Sequence, residues 1–138
     1  MYFRFKSLHE CNTKRILLSV VLLLICESGY EKHLHSERDY QTHWCKVHNG
    51  IIEYRNKDFT RIDCLTAENA VEFDFALKWA ESIGQALHYE LMTGKKAKVV
   101  LILENPKQEM IYYLRIKNLS KKYSFDAEYM MPDFSVKK

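Results

Sequence analysis

A chain of 138 residues is long enough for one domain of ordinary size and too short for a large multidomain enzyme. Hydrophobic residues make up 47% of the sequence and charged residues 28%, with only four glycines and two prolines, which excludes the disordered, collagen-like and low-complexity classes. The formal net charge of +3 is too small to indicate nucleic-acid binding by itself, so such a function requires a local site.

Residues 1–29 have the pattern of a signal peptide or an N-terminal membrane anchor. Four basic side chains precede an apolar run from Ile16 to Ile25, and polar sequence follows. The run is about half as long as the roughly 20 apolar residues of a membrane-spanning helix, which favours a cleaved leader over a permanent span. An uncleaved anchor and lipid attachment at Cys26 are the alternatives. We therefore predict an exported bacterial protein, periplasmic or secreted, in which residues 30–138 form a single, nearly neutral domain.

The four cysteines fall into two groups. Cys11 and Cys26 belong to the leader, which leaves Cys45 and Cys64 in a compartment that permits disulfides, and we predict that these two are bonded. Zinc is the competing interpretation, because two histidines lie close by in the sequence. The candidate zinc ligands are His43, Cys45, His48 and Cys64. Their spacing matches no familiar zinc finger or ribbon, which favours the disulfide.

The remaining sequence predicts an α/β domain, more narrowly α+β, with short strands and two long helices. The predicted elements are a short helix within 30–48, strands at 51–55, 60–66 and 70–76, a helix at 77–93, a strand at 98–104, a helix from 106 and an edge strand at 124–130. The strand at 98–104 is apolar without interruption, which predicts a central position with both faces buried. The first three strands are expected to form a meander.

The helix predicted at 77–93 has an apolar side and a polar stripe. The apolar side consists of Trp79, Ile83, Leu87 and Leu91. At 100° per residue, the polar stripe spans about 60° and consists of Lys78, Ser82, Gln85 and Tyr89. These side chains are suited to bracket a phosphodiester, with Lys78 stabilising negative charge and Gln85 and Tyr89 positioning the strand. The stripe is equally compatible with an ordinary solvent-exposed helix face.

Three acidic side chains are predicted to share one face of the sheet. Because side chains alternate along a strand, Glu72 and Asp74 project together, and a tight turn places Asp63 of the preceding strand opposite one of them, at about 4.5–5.5 Å. Carboxylates this close need a shared cation or a shared proton. An oxygen-only set suits Mg²⁺ or Mn²⁺ together with water and a substrate phosphate. The competing interpretation is that all three carboxylates are solvated on the exposed face of an antiparallel sheet.

These residues carry a resemblance to a known superfamily. The succession of Asp63, Glu72 and a helix bearing Gln85-Ala-Leu-His-Tyr89 resembles the PD-(D/E)XK nuclease-like superfamily, in particular its recombination-exonuclease type with a Gln-x-x-x-Tyr helix. The stretch from Arg61-Ile-Asp-Cys-Leu-Thr to Thr93-Gly-Lys is also similar to small exported bacterial proteins assigned to that superfamily. The similarity covers the sequence from about Cys45 to Leu103 and is more specific as a whole than any one short motif.

The resemblance implies a restriction-endonuclease-like core and a metal-dependent nuclease that hydrolyses phosphodiester bonds of DNA or RNA. It implies that Asp63 and Glu72 bind Mg²⁺ or Mn²⁺, and that Gln85 and Tyr89 face the substrate. Asp74 stands beside the pair as a further candidate ligand.

The sequence departs from the superfamily pattern at one catalytic position. The superfamily has a lysine two residues after the glutamate, where this chain has Asp74. We predict that Lys78, about one helical turn later, replaces it as the third catalytic residue beside Asp63 and Glu72. Glu53 is a candidate for the acidic residue that relatives carry earlier in the chain, although Glu53 lies on a predicted strand and theirs on a helix.

A second class of function stays open. The missing lysine, the near-neutral charge and the small size also suit a catalytically inactive nuclease-fold module that binds a partner or has a structural role in the cell envelope. Fold by itself does not decide between the two functions.

Overall fold

A six-stranded mixed sheet with helices on both faces organises the chain. The computed structural model describes residues 32–138, so the predicted leader, with Cys11 and Cys26, lies outside the described residues. The elements are α1 (Glu37–Val47), β1 (Ile51–Arg55), β2 (Arg61–Leu65), β3 (Asn69–Phe75), a 3₁₀ turn (Ala76–Lys78), α2 (Trp79–Thr93), β4 (Lys96–Ile102), α3 (Pro106–Tyr123), β5 (Asp126–Met130) and β6 (Val136–Lys137). The predicted mixed α/β class is confirmed.

The strands lie in the sheet in the same order as in the sequence, from β1 to β6. The first three form the predicted antiparallel meander, β3, β4 and β5 are parallel, and β6 returns antiparallel to β5. The prediction that the strand after α3 is an edge is wrong, because Met130 of β5 pairs with Val136 of β6. A strand of two residues is too short to give a period-two signal in the sequence.

The alternation of side chains along β4 separates two hydrophobic layers. Val100 and Ile102 pack with Tyr40 and Trp44 of α1, whereas Val99 and Leu101 pack with residues of α2 and α3. All of β4 after Lys96 is buried, as the apolar run predicts for a central strand covered on both faces.

The predicted disulfide between Cys45 of α1 and Cys64 of β2 is present. The zinc interpretation is wrong, because both sulfurs are committed to this bond, and the two histidines stack on aromatic rings instead: His43 on Phe134 and His48 on Trp44. The bond fastens α1 to the sheet on the face opposite α2 and α3. A disulfide of this kind fits a protein that folds in an oxidising compartment.

Removal of the disulfide is expected to lower the free energy of unfolding by about 3 kcal/mol, because a loop of this length then regains its full entropy in the unfolded chain. The measurement is urea denaturation of the oxidised protein against a Cys45→Ala/Cys64→Ala variant, and oxidised and reduced protein give a second comparison. Equal midpoints for protein and variant would show that packing of α1 alone fixes the helix.

Gly50 provides an independent probe of the same contact. A Cβ atom at this residue would lie 2.3 Å from Cys64 Sγ and 2.7 Å from Cys45 Sγ. Gly50→Ala is therefore expected to displace the disulfide and lower the free energy of unfolding in the oxidised protein, but to cost less once the two cysteines have been replaced.

Candidate active site

A cleft of about 360 Å³ collects the side chains that the sequence singled out. Its walls come from α1, β2, β3, the 3₁₀ turn and α2. The predicted residues that line it are Asp63, Glu72, Asp74, Lys78, Gln85 and Tyr89. The residues that sequence reasoning did not include are Glu37, Thr60, Arg61, Phe73 and Glu81. The cleft therefore contains every predicted site residue except Glu53.

The pairing of β2 with β3 settles which acids face each other. Cys64 pairs with Val71 and Leu65 with Ala70, so the same register places Asp63 opposite Glu72. The backbone ladder does not continue through this pair. Instead, the amide of Phe73 donates a hydrogen bond of 2.8 Å to Asp63 Oδ2. The side-chain carboxylate of Asp63 thus accepts the hydrogen bond that a backbone carbonyl of β2 would accept in a continuous ladder.

All three carboxylates are buried, and the interpretation that they are solvated on an exposed sheet face is wrong. Asp63 is 9% exposed, Glu72 5% and Asp74 3%. The reason is that β3 is the third strand of a sheet covered on both faces, so the face that carries Glu72 and Asp74 packs under α2. Ionised groups without compensating partners are costly at such a position.

The polar stripe of α2 faces the sheet, and the alternative of a solvent-exposed stripe is wrong for its inner members. Ser82 is fully buried and Tyr89 is 5% exposed, whereas Leu91 on the apolar side is 80% exposed. The hydroxyl of Ser82 is satisfied within the helix by donation to the carbonyl of Trp79. Ala86, also fully buried, lets the helix approach the sheet closely. The helix therefore packs its polar side chains against the acids of β3.

The electrostatics of the pair formed by Asp63 and Glu72 are those of two buried acids in contact. Burial is the largest cause that raises the pKa of Glu72, and the charge of Asp63 raises it further. Burial also raises the pKa of Asp63, opposed by the hydrogen bond from the amide of Phe73. Burial and the nearby Glu72 charge likewise raise the pKa of Tyr89, so its hydroxyl stays protonated beside the pair. Without a cation, the pair holds a proton at neutral pH.

Asp74 and Lys78 form the second charged pair of the cleft. Burial raises the pKa of Asp74 to about 7, opposed by the charge of Lys78, whose Nζ lies 3.5 Å from Asp74 Oδ1. The Asp74 charge in turn raises the pKa of Lys78. The lysine side chain is 58% exposed and the aspartate side chain 4%. Lys78 therefore holds its charge at the mouth of the cleft, above buried acids.

One oxygen of the site lacks any hydrogen-bond partner. Within the described part of the chain, Glu72 Oε2 is buried and receives no hydrogen bond. In residues 32–138, no group of three histidine, cysteine, aspartate or glutamate side chains stands in an arrangement that holds a metal ion. The oxygen donors nearest to this unpartnered atom in the cleft belong to Asp63, Glu72 and Asp74, and carboxylate oxygens are the ligands that a hard cation prefers.

Glu53 lies beside the cleft in an ion-pair network. Its carboxylate is 2.9 Å from Arg61 Nε and 3.6 Å from Arg38 Nη1, and its charge contributes to the raised pKa of Asp63. The backbone of Glu53, in the middle of β1, has φ of 55°. The register between β1 and β2 places Glu53 opposite Asp63.

Glu37 is the acidic helix residue that sequence reasoning missed. It lies in the first turn of α1 and lines the cleft, and burial followed by the charge of Asp63 raises its pKa. Ser36 and Asp39 form a capping box that starts the helix immediately before Glu37. The capping pattern is visible in the sequence and predicts a carboxylate in the first turn of a helix. It does not predict that this carboxylate approaches β2.

Comparisons with known proteins do not assign a function to this chain, so the functional assignment depends on the geometry of the site. The chain matches no family model, no curated protein and no solved structure in the comparisons made. Of the helices in residues 32–138, none is long and apolar enough to cross a membrane.

Proposed function

We propose that this protein is an exported nuclease, periplasmic or secreted, that requires Mg²⁺ or Mn²⁺ and hydrolyses phosphodiester bonds of DNA or RNA. The observation that carries the proposal is the buried pair of Asp63 and Glu72, with its unpartnered oxygen, below an exposed lysine in an open cleft. Buried acids in contact destabilise a metal-free fold, and well-packed apolar residues of similar volume would serve stability better. A functional cation accounts for their presence.

Asp63, Glu72 and Asp74 are the residues that would hold the cation. A divalent ion held there would supply Lewis-acid chemistry, polarising a phosphoryl oxygen and lowering the pKa of a water nucleophile. The amide of Phe73 holds Asp63 in place, and Tyr89 lines the cleft together with Glu72.

Lys78 stabilises the negative charge that develops on the phosphate, because its side chain is exposed and its ammonium group lies 3.5 Å from Asp74. Gln85 and Tyr89 line the same cleft and position the nucleic-acid strand of the substrate. The 3₁₀ turn after β3 is what brings a lysine four residues beyond Asp74 back over the acids. We infer that Lys78 supplies the function of the lysine that the superfamily carries at the Asp74 position.

The fold supports the same assignment. Two antiparallel strands carry the acids, a helix with the Gln-x-x-x-Tyr motif follows, and the chain returns to a parallel central strand. We propose that β1–β4 with α2 correspond to the restriction-endonuclease-like core.

A catalytically inactive binding or structural module of the cell envelope is the second candidate. One observation favours it: the cleft is lined by five acidic side chains and only two basic ones, so without a cation it repels a phosphate backbone. The acidic side chains are Glu37, Asp63, Glu72, Asp74 and Glu81, and the basic ones are Arg61 and Lys78.

Calorimetric titration of the oxidised protein with Mg²⁺ and Mn²⁺ tests the proposal before any substrate is chosen. We expect binding of a cation in stoichiometric amount, lost in Asp63→Asn and in Glu72→Gln. Glu68→Gln, at an exposed acid in the turn between β2 and β3, is the matched control and should bind normally. A protein that binds neither ion would favour the inactive module.

The activity itself is tested with single- and double-stranded DNA and RNA in the presence of either ion. Cleavage that depends on the cation and disappears in Asp63→Asn supports the nuclease. Cleavage that survives both Asp63→Asn and Lys78→Ala would assign the activity to another site or to a contaminant.

A further inference from the structure

The loop between β1 and β2 presents an aromatic ring to solvent beside the cleft. Phe59 is 82% exposed, the largest exposure among the large hydrophobic side chains in the described part of the chain. Its backbone has φ of 70°, in the left-handed region that disfavours a bulky side chain. The ring packs in none of the hydrophobic clusters of residues 32–138. Neither packing nor backbone preference therefore accounts for phenylalanine at this position.

Hydrogen bonds within the loop hold Phe59 outward. The amide of Asn56 donates to the carbonyl of Thr60 at 2.9 Å, and the amide of Phe59 donates to the carbonyl of Asn56 at 3.1 Å. The Thr60 hydroxyl donates to Asp58 Oδ1 at 2.6 Å. The loop is closed on itself, so the ring is presented by a constrained backbone and loses little freedom on binding a ligand.

The loop is also fastened to the wall of the cleft. Thr60, the residue after Phe59, lines the cleft, so the two Cα atoms are separated by one peptide unit of about 3.8 Å. On the other side, His88 Nε2 lies 2.7 Å from Asp58 Oδ2. The next residue of α2, Tyr89, stands beside Glu72. The loop that carries Phe59 therefore lies at the rim of the candidate active site.

Basic residues flank Phe59 along the hairpin, in which Arg55 of β1 pairs with Arg61 of β2. Arg55, Lys57 and Arg61 are exposed and alternate with the polar residues of the loop. Within residues 32–138, neither Arg55 nor Lys57 has an acidic group at ion-pair distance, whereas Arg61 pairs with Glu53. An aromatic ring among cations is the combination that binds single-stranded nucleic acid, with the ring stacking on a base and the cations following the backbone. A protein partner would need a contiguous apolar patch, and the neighbours of Phe59 in the loop are Asp58 and Thr60.

We propose that Phe59 is a stacking platform for an unpaired base, and that Arg55 and Lys57 hold the backbone of a single-stranded nucleic acid next to the cleft. The proposal rests on the nuclease function and deepens it by naming the substrate class: a single strand, or the frayed end of a duplex. Bases inside a duplex are already stacked on each other and leave no face for the ring.

Binding of a fluorescein-labelled oligothymidylate to the full protein, followed by fluorescence anisotropy with Ca²⁺ in place of Mg²⁺, tests this site. Phe59→Gly is expected to weaken binding about fivefold or more. Phe59→Trp should bind as tightly as the wild type or tighter. Tyr123→Ala is the matched control, because Tyr123 is also an exposed aromatic with a lysine over its ring, at the far end of α3, and it should leave the affinity unchanged.

The thermal unfolding midpoint separates a binding effect from a folding defect. Glycine adopts φ of 70° without strain, so Phe59→Gly should unfold at the same or a higher temperature than the wild type while it binds the strand more weakly. An unchanged affinity in Phe59→Gly, an equal loss in Tyr123→Ala, or no binding of the oligothymidylate by the wild type would overturn the proposal. The nuclease function fails on a different result, the absence of cation binding and cleavage, and stacking by Phe59 would still be detected in that case.

Discussion

Without a divalent cation, the free energy of unfolding is expected to fall as the pH rises from about 4 to about 7, in contrast to most proteins over this range. Asp63, Glu72 and Asp74 all have a pKa in the folded state above the unfolded value. Between those two values the folded protein keeps protons that the unfolded chain has released. The stabilisation is therefore complete below the unfolded pKa and is lost as the pH passes through the folded one.

Asp74 accounts for the part of this pH range in which the loss of stability is easiest to measure. Its pKa rises from 3.8 to about 7, with burial as the main cause, so its contribution disappears over that interval. One pKa unit corresponds to about 1.4 kcal/mol, and solvent at the cleft reduces the effect to an expected loss of about 2 kcal/mol for this residue. The pair of Asp63 and Glu72 adds to the loss in the same direction.

Acids whose pKa values are lowered in the folded protein limit the free energy of unfolding at low pH. Hydrogen bonds from the amides of Leu34 and His35 lower the pKa of Glu104 against the opposing effect of its burial, and Lys96 does the same for Asp126. These groups stabilise the fold above their unfolded pKa values, and their contribution is lost as the pH falls through the folded ones. The metal-free protein is thus expected to be most stable near pH 4 to 5.

A divalent cation should reverse the slope. If Mg²⁺ or Mn²⁺ binds as proposed, it binds the ionised carboxylates, so its stabilisation should grow as the pH rises and the competing protons leave. The measurement is urea denaturation at pH 5 and pH 8, with chelator and with Mn²⁺. Asp74→Asn should flatten the metal-free slope, and Asp126→Asn should change only the acid side. A slope that is the same with and without Mn²⁺ would remove the carboxylates from consideration as a cation site.

The sequence predicted the acids because two strands with period-two alternation needed only their register to bring them together. Asp63 and Glu72 stood on facing strands, and the turn before Asn69 decided between the two registers that the pattern allowed. Their burial was not predictable from β2 and β3 alone. It depends on α2, and no local pattern states which stripe of a helix packs on the sheet.

The orientation of α2 shows why hydrophobic periodicity failed there. Leu91 belongs to the apolar stripe but is 80% exposed, whereas Ser82 is fully buried. Trp79 and Ile83, at the start of the apolar stripe, pack against the core, so the pattern fails only toward its end. Gln85 and Tyr89 line the cleft with the acids of β3, and the small Ala86 on that side is fully buried. Departures of this kind from the hydrophobic pattern are expected where function opposes stability.

Glu37 and Phe59 escaped prediction for different reasons. Glu37 is far in sequence from Asp63, and only the packing of α1 across the sheet, secured by the disulfide, brings it to the cleft. The sequence pattern predicted nothing for Phe59, and its exposure follows from the closed loop and its left-handed backbone. The position of Glu37 depends on contacts between distant segments, and that of Phe59 on loop geometry that strand and helix propensities do not describe.

Lys78→Met is expected to lower the rate of phosphodiester cleavage by about 10²–10³ while the cation still binds, since removal of one charge-stabilising group from an active site has effects of this size. Loss of the lysine charge also raises the pKa of Asp74, because that charge holds it down. The comparison therefore belongs at a pH well above 7 and at saturating cation, so that the difference in Asp74 ionisation between the two proteins has the least effect.

The readout that separates catalysis from positioning is the division between kcat and KM. A group that stabilises only the transition state lowers kcat and kcat/KM together and leaves KM in place. Lys78→Arg should keep part of the rate, since the positive charge remains. Lys121→Met, at an exposed lysine in the last turn of α3, is the matched control and should cleave like the wild type. If Lys78→Met cleaves at the wild-type rate, the charge at the cleft mouth has no part in the chemistry, and the ion pair with Asp74 is structural.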